Sequence, residues 1–576
     1  MTLAPANRNT LWASLLVDEW QQAGLRAVVL APGSRSTPLA VAFSRSPLPH
    51  YVVPDERAAG FFALGMAKAW RAPVAVLTTS GTATANLHPA VLEAHHSHIP
   101  LLVLTADRPA ELQDSGANQT TDQHRLYGTA VRWFHALAPP EAHPPARLLR
   151  YVRSVADRSL AYASGWGGPP GPVHLNVPFR KPLEPQPRPA DRAAEALAAA
   201  PEVARGRDRG PWTRLVRPGP TAPPRDALRA ALAEVQAARR GLVVAGPDAC
   251  PTPAAAQALV RLAARWGYPV LADPLSGVRF GPWVAQGMVL GGVSRALAQG
   301  WRPPEPPEVV VHFGAAPVGF GPLRYLADLP ASTTVLTVTA HGQWNDPHFR
   351  TAWHFWAAPE QWLYAAEQAG PLPEDSSPAP WTHAWQHAET QTWPARLTLT
   401  DEGPLSGLLA QHAPAGAWLV ASNSLPIRHL DEWARPRSAP LRVAANRGLS
   451  GIDGVLATAT GLALAAQRPT VLLIGDVALY HDLNSLALAP RFQVPLAVVV
   501  LNNNGGRIFQ RLPIAAYEPP FTQAFRAPLN TRFAAPAQGF GWTYQAYDLA
   551  AADLPQALAA TWQVKRPTLL EIRIPW

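Results

Sequence analysis

One cysteine, Cys250, in a chain of 576 residues excludes an intramolecular disulfide and any cysteine-rich metal site. Charge is sparse as well. Charged residues make up 15%, and 40 acids face 49 bases for a formal net charge of +9. Such an excess invites a nucleic-acid partner, but the bases are overwhelmingly arginine and are scattered, with no basic stripe and no nucleic-acid motif beside them. High alanine and 64 prolines point to a chain-wide compositional bias, and no nucleic-acid partner is expected. Long hydrophobic runs are missing too. No apolar stretch approaches the roughly 20 residues of a membrane span, and residues 1–10, MTLAPANRNT, lack a signal-peptide core. A cytoplasmic protein is the expectation. Neither a Walker loop nor a GxGxxG fingerprint follows any strand-like run, so those nucleotide sites are unsupported.

What is present is ample apolar residue, 48%, in a chain too long for one ordinary core. Helix-like and strand-like patterns alternate, which predicts an α/β protein of three consecutive parallel-sheet domains. The first covers 1–185, with strands in AVVLAPG, VAVLTTSG, PLLVLTADRP and GPVHLNVPF. A Pro/Arg/Ala-rich stretch without periodicity, 186–224, reads as a linker. The middle domain, 225–370, carries GLVVAGPDA, YPVLADPLSG, PEVVVHFGAAP and TTVLTVTA, whose ends are short of convergent acids. PLPEDSSPAP (371–380) reads as a second linker, opening a last domain of 371–576.

The most informative segment is VLLIGDVALYHDLNSLALAPRFQVPLAVVVLNNNGGRIF, 471–509. One apolar run stops at Gly475-Asp476 and a second at Asn502-Asn503-Asn504. Asn-Gly and Gly-Asp are also ordinary hairpin and turn signals. The helix-length HDLNSLALA between the runs instead fits a βαβ crossover, which places both ends in the crevice where parallel sheets bind ligands. Asp476 and the Asn503 side chain then offer hard oxygens to Mg²⁺, and the Gly505 carbonyl a third, with diphosphate oxygens completing the shell. The same oxygen ligands admit Mn²⁺. In the first domain, Asp55-Glu56-Arg57 opens an apolar helix, and as isolated acids they read as first-turn capping residues.

Taken together, the Gly-Asp…Asn-Asn pair and a glutamate ahead of FFALGMA resemble the thiamine-diphosphate-dependent enzymes, which have pyrimidine-binding, middle and diphosphate-binding domains in this order. APGSRSTPLAVA (31–42), DERAAGF (55–61), TSGTATANLHPAVLEA (79–94), LTADRPAELQDSGANQTTDQ (104–123), SNSLPIR (422–428), NRGLSGIDG (446–454), GDVALYHDLN (475–484) and NNNGGRIF (502–509) are similar to the carboligases of menaquinone biosynthesis within that family. The likeness spans nearly the whole chain and is weak in the linkers.

The resemblance implies decarboxylation of 2-oxoglutarate and conjugate addition of the succinyl unit to isochorismate. It also implies thiamine diphosphate with Mg²⁺, and an obligate homo-oligomer, dimer or tetramer, with active sites between subunits. By the same resemblance Glu56 is the catalytic acid that hydrogen-bonds N1′ of the cofactor's aminopyrimidine. Ser80, Gly81, Ile452, Asp476, Asn503, Ile508, Phe509 and Leu512 are the further cofactor contacts, and Asp476, Asn503 and Gly505 the metal ligands. Ser34, Arg35, Arg108, Asn118, Gln119, Ser424 and Arg428 match its substrate contacts. Arginine suits two dicarboxylate substrates because it stays ionised and grips carboxylates through two N–H groups. Another thiamine-diphosphate-dependent 2-oxoacid decarboxylase is the alternative, for which those polar residues would be odd around a methyl ketone.

Two departures stand out. The family usually carries a basic residue after the strand of EVVVHFGAAP, where this chain reads VGFGPLRYL, and Arg324 is off in spacing. Val477 also follows Asp476 where glycine is frequent. HHSH at 95–98 invites a zinc reading, but no acid or histidine at partner spacing completes it. The 21 tryptophans are scattered and suit core packing.

Overall fold

Apolar runs rich in valine and leucine need both faces covered, and they form three parallel sheets of six strands each. The computed structural model describes residues 5–207, 210–216, 219–369 and 380–575. In the first sheet the strands lie in the order His50–Val52, Val28–Leu30, Val74–Thr78, Leu101–Asp107, Pro172–Pro178, Trp133–Ala136. In the third the order is Leu441–Ala444, Ala417–Ala421, Thr470–Gly475, Leu496–Asn502, Thr568–Arg573, Thr543–Asp548. Counted from their own starts, both run 2-1-3-4-6-5, so a topology repeats where the sequence shows no repeat. The middle sheet, built on Gly241–Ala245 and Val309–Phe313, runs 3-2-1-4-5-6.

Each order reverses direction beside its first strand, and such a reversal opens a crevice at the carboxyl ends of the two strands that flank it. In the first sheet the reversal falls between Val28–Leu30 and Val74–Thr78, which run on to Ser34-Arg35 and Ser80-Gly81. In the third it falls between Ala417–Ala421 and Thr470–Gly475, which run on to Ser424 and Asp476. The expected βαβ pairing holds, with Gly475 opposite Leu501 in parallel register. Its crossover differs in detail: Pro490 and the short polar residues break it into Asp476–His481, a 3₁₀ turn Leu483–Ala487 and Leu488–Arg491.

The chain forms two compact units, and they are not consecutive in sequence. One comprises 1–217, 446–467 and 481–494, and the other 218–445, 468–480 and 495–576. Three consecutive domains therefore describe the sheets but not the grouping of the helices. In the first unit helix Val455–Ala466 crosses helix Glu56–Trp70 at backbone contact. A Cβ on Gly65 would collide with the Thr458 carbonyl, and one on Gly461 with that of Phe62. Only glycine fits there. The 371–380 stretch lies outside the described residues except for Pro380, which begins helix Pro380–Thr392. No described helix is long and apolar enough to cross a membrane.

The 186–224 stretch is less of a linker than its composition suggests. Helices Ala193–Ala198 and Pro201–Arg205 bury Ala193, Leu197, Ala200 and Val203 in the core of the first sheet. Buried Arg153 explains how that segment is held. Its guanidinium reaches Glu19 (2.6 Å) and Asp18 (2.9 Å), and its Nε donates to the Val203 carbonyl (2.9 Å). Further on, the Trp212 amide donates to Glu19 (2.5 Å) and the Thr213 amide to Asp157 (2.6 Å). Composition hides such docking because it rests on a few residues at distant positions. Burial, reinforced by the charge of Glu19, pushes Asp157 up to about 7. Its folded form holds a proton that the unfolded chain loses near pH 4, so stability falls as pH rises from about 4 to about 7. Asp157→Asn keeps an acceptor for Thr213 and removes that titration. Thermal melts should show the variant losing less stability than the parent between pH 5 and pH 7.5, by a few degrees in relative Tm.

Candidate active site

The carboxyl ends of the third sheet gather oxygen donors out of water. Asp476 is 2% exposed and Asn503 5%. Asp476 Oδ2 accepts the Gly505 amide at 2.8 Å. Burial pushes the Asp476 carboxyl up to about 6, against the backbone N–H groups that favour its charge, and the nearby Glu402 adds to the rise. A carboxylate in that position calls for a cation. Asn503 Nδ2 donates to Glu402 Oε2 at 3.1 Å, whereas its Oδ1, though buried, has no hydrogen-bond partner among the described residues. Gly505 sits at φ +130, and a Cβ there would strike the Arg526 carbonyl. Its own carbonyl accepts the Arg507 amide at 2.9 Å, with one lone pair still free to coordinate. An orphaned amide oxygen beside a carboxylate with too little positive charge fits a hard divalent cation.

Behind this pair stands Glu402, which the sequence reading did not single out. It lies 2% exposed in the first turn of helix Glu402–His412, whose N-cap is Asp401. Burial alone would raise its carboxyl. The proximity of His429 and Arg507, with the Asn503 N–H, outweighs that and holds it below the usual carboxylate range. His429 Nε2 lies 3.5 Å from Glu402 Oε1, and Arg507 Nε 3.7 Å. An ionised Glu402 accepts only, so it claims the Asn503 N–H and leaves the amide oxygen facing away. Nothing local marks it, because DEGPLSG reads as an ordinary helix start.

The first sheet assembles a cationic cluster at its own crevice. Arg35 is buried and donates to the Phe179 carbonyl at 2.7 Å, and Arg108 donates to the Ser80 hydroxyl. Burial lowers the Arg35 pKa and the charge of Arg108 lowers it further, so the two guanidiniums feel each other. Asp107 is already engaged by the Arg108 amide (2.7 Å) and by Asn176 (2.8 Å). Gln119, at φ +56, reaches the Ser80 carbonyl at 2.9 Å, and the Gly81 amide donates to Gln123 at 3.1 Å. Ser34, Arg35, Ser80, Gly81, Arg108 and Gln119 thus lie around one set of strand ends. Asn118 is exposed and contributes only its carbonyl, to Thr120.

Glu56 begins helix Glu56–Trp70, capped by Asp55, whose carboxylate accepts the Ala58 amide at 3.2 Å. The capping role thus belongs to Asp55. Glu56 is half-buried rather than enclosed, with Asn86 donating to it at 3.3 Å. The HDLN motif meets this helix start: Asn484 donates to Asp55 (3.2 Å), and Arg57 to the His481 carbonyl. Ile452 is half-buried in the loop ahead of helix Val455–Ala466, and Glu93 anchors that loop through the Gly448 and Leu449 amides, both at 3.0 Å. Ser424 is strained at φ +71, and its carbonyl accepts Arg428 at 2.6 Å. Ile508 and Phe509 are half-buried in a 3₁₀ turn, with Phe509 edge-on to Phe525, while Leu512 is exposed. Arg324 lies on the surface, 3.8 Å from Asp328. In the HHSH segment, Arg132 donates to the His95 carbonyl and to His98 Nδ1, placing a fixed cation where a zinc reading needs free nitrogens.

The family models described as thiamine pyrophosphate enzyme, N-terminal and C-terminal TPP binding domains, match residues 12–126 and 432–572. Solved structures share the fold along the chain. Benzoylformate decarboxylase from Polynucleobacter necessarius superposes with a TM-score of 0.73 at 16% identity, covering 98% of each chain. A thiamine diphosphate-dependent 4-hydroxybenzoylformate decarboxylase from Rhodococcus jostii gives 0.72 at 19%, covering 98% of this chain and 99% of that one. Fold and matched domains together define a thiamine-pyrophosphate enzyme. The relatives narrow the class. A 2-succinyl-5-enolpyruvyl-6-hydroxy-3-cyclohexene-1-carboxylate synthase of Roseiflexus castenholzii is 43% identical over 98% of this chain and 96% of its own length. One from Halobacterium salinarum is 45% identical over 94% and 91%. The chain belongs to this synthase family.

Glu402→Ala should cost about 3 kcal/mol in denaturant unfolding, since it strands Asn503, His429 and Arg507. Glu402→Gln retains an acceptor for Asn503 and should lose clearly less.

Proposed function

We propose that the protein makes 2-succinyl-5-enolpyruvyl-6-hydroxy-3-cyclohexene-1-carboxylate by decarboxylating 2-oxoglutarate and adding the succinyl unit to isochorismate in menaquinone biosynthesis. The observation that carries this reading is the near full-length identity, 43%, with a synthase of that name. When bound, thiamine diphosphate supplies the carbanion chemistry that protein side chains lack. The residues do the rest. Asp476, Asn503 and the Gly505 carbonyl hold Mg²⁺, or Mn²⁺, against the diphosphate. Glu56 holds a proton at the aminopyrimidine N1′. Ser80, Gly81, Ile452, Ile508, Phe509 and Leu512 contact the cofactor.

Both substrates are dicarboxylates, and Arg35, Arg108 and Arg428 bind their carboxylates, with Ser34, Asn118, Gln119 and Ser424 adding hydrogen bonds. The buried pairing of Arg35 with Arg108 supports this, because two cations near one another in a dry crevice call for an anion. A homo-oligomer, dimer or tetramer, with active sites shared between subunits and a cytoplasmic location complete the reading.

Incubation with isochorismate and 2-oxoglutarate should yield the succinyl adduct and CO₂, whereas pyruvate in place of 2-oxoglutarate should give none. Consumption of pyruvate alone would transfer the assignment to a simple 2-oxoacid decarboxylase. Glu56→Gln should keep its fold and cofactor affinity yet lose about 100-fold or more in turnover, and a parental rate would remove Glu56 from the proton path. Thiamine diphosphate should raise Tm only when Mg²⁺ is present, and Asp476→Ala should abolish that gain. Equal stabilisation under chelator would take Asp476 out of the metal site.

A further inference from the structure

Phe320 is a large apolar residue left 43% exposed at the start of helix Phe320–Ala327, in the VGFGPLRYL stretch. Single exposed apolar residues are common and need no explanation of their own. This one has a specific neighbour. The Arg428 guanidinium carbon lies over its ring, 4.7 Å from the centroid, within cation–π range. Arg428 also donates through Nη1 to the Ser424 carbonyl at 2.6 Å. Two of the restraints on this flexible side chain are therefore a carbonyl at one edge and an aromatic face.

The approach of the two segments is built in, and a buried network enforces it. Gly319 lies so close to helix Leu425–Trp433 that a Cβ would collide with the Asp431 carboxylate. That carboxylate accepts from the Ser294 hydroxyl and from Arg279, at 3.2 Å. Arg279, 1% exposed, also donates to the Leu430 and Asp431 carbonyls, at 3.3 and 2.8 Å. Asp273 accepts the Val318 amide at 2.8 Å. Asp431 stands one helical turn after Arg428. The network that pins Asp431 therefore sets the height of Phe320 against Arg428. Arg324, on the same helix as Phe320, points its charge at Asp328.

We propose that Phe320 is a positioning residue for substrate recognition, its ring holding the Arg428 guanidinium in the orientation that receives a substrate carboxylate. An aromatic face orients a guanidinium through its π system without itself consuming N–H groups. A carboxylate at the same place would neutralise the arginine, and a second cation would repel it. The inference rests on the reading of Arg428 as a substrate ligand.

The test measures kcat and KM for 2-oxoglutarate and for isochorismate in the full enzyme with Mg²⁺ and thiamine diphosphate. Arg428→Ala identifies which KM depends on the arginine. Phe320→Leu keeps apolar volume and should raise that same KM roughly three- to tenfold, with kcat within twofold and Tm unchanged. Phe320→Tyr, which retains a ring, should restore the parental KM. In the Arg428→Ala background Phe320→Leu should add nothing further, since the two act as one unit. If Arg428→Ala raises a KM and Phe320→Leu leaves it at the parental value, the positioning role is overturned while Arg428 stands as a ligand. If Arg428→Ala changes neither KM, the substrate reading of Arg428 fails, and the role of Phe320 with it.

Discussion

A carboxylate cannot stay ionised in a dry crevice unless something positive or strongly dipolar stands beside it, and most of the site's architecture answers that requirement. Parallel strands buried on both faces carry Asp476 and Asn503 to their carboxyl ends, where the sheet excludes water. The backbone offers N–H groups from Gly505, Val477 and Asp476 itself, which are not enough, and burial keeps the acid raised. The deficit is what makes the place receptive to a divalent cation. Glu402 answers the opposite need. It stays ionised because His429 and Arg507 lie against it, and it then orients the Asn503 amide.

The same logic runs with reversed sign in the first sheet, where Arg35 and Arg108 are buried together and the charge of Asp107 offsets them in part. One crevice is short of positive charge and the other short of negative charge. Both lie where strand order reverses, which is the place a parallel sheet leaves open. Close backbone approaches at Gly65 and Gly461, and buried arginines such as Arg153 and Arg279, hold the supporting segments within each unit. Such contacts tolerate little displacement because no flexible side chain stands between the backbones.

Much of this was legible in the chain. The apolar runs ending at Gly475-Asp476 and Asn502-Asn503 announced parallel strands and their crevice, since the period and length of such runs are local properties. Asp55 and Glu56 announced a helix start, although Asp55 turned out to be the cap and Glu56 half-exposed. What stayed hidden depended on long-range pairing. Glu402 acts on a residue 101 positions away, and DEGPLSG alone carries no hint of it. The 186–224 stretch looked like a linker because two short helices and a few docked amides leave no periodic trace. The tertiary structure also divided the last third of the chain between two units, because helix packing follows spatial proximity rather than chain order.

The sequence by itself determined the α/β class, the parallel sheets, the adjacent strand ends that carry Asp476 and Asn503 and the family likeness, because each is written in short motifs and local periodicity. Only the tertiary structure decided which atoms of those residues are free to act. It left Asn503 Oδ1 without a hydrogen-bond partner among the described residues, held Glu402 charged, and set Phe320 against Arg428. Orientation and ionisation are set by neighbours that the chain brings together from far apart, and burial magnifies their influence.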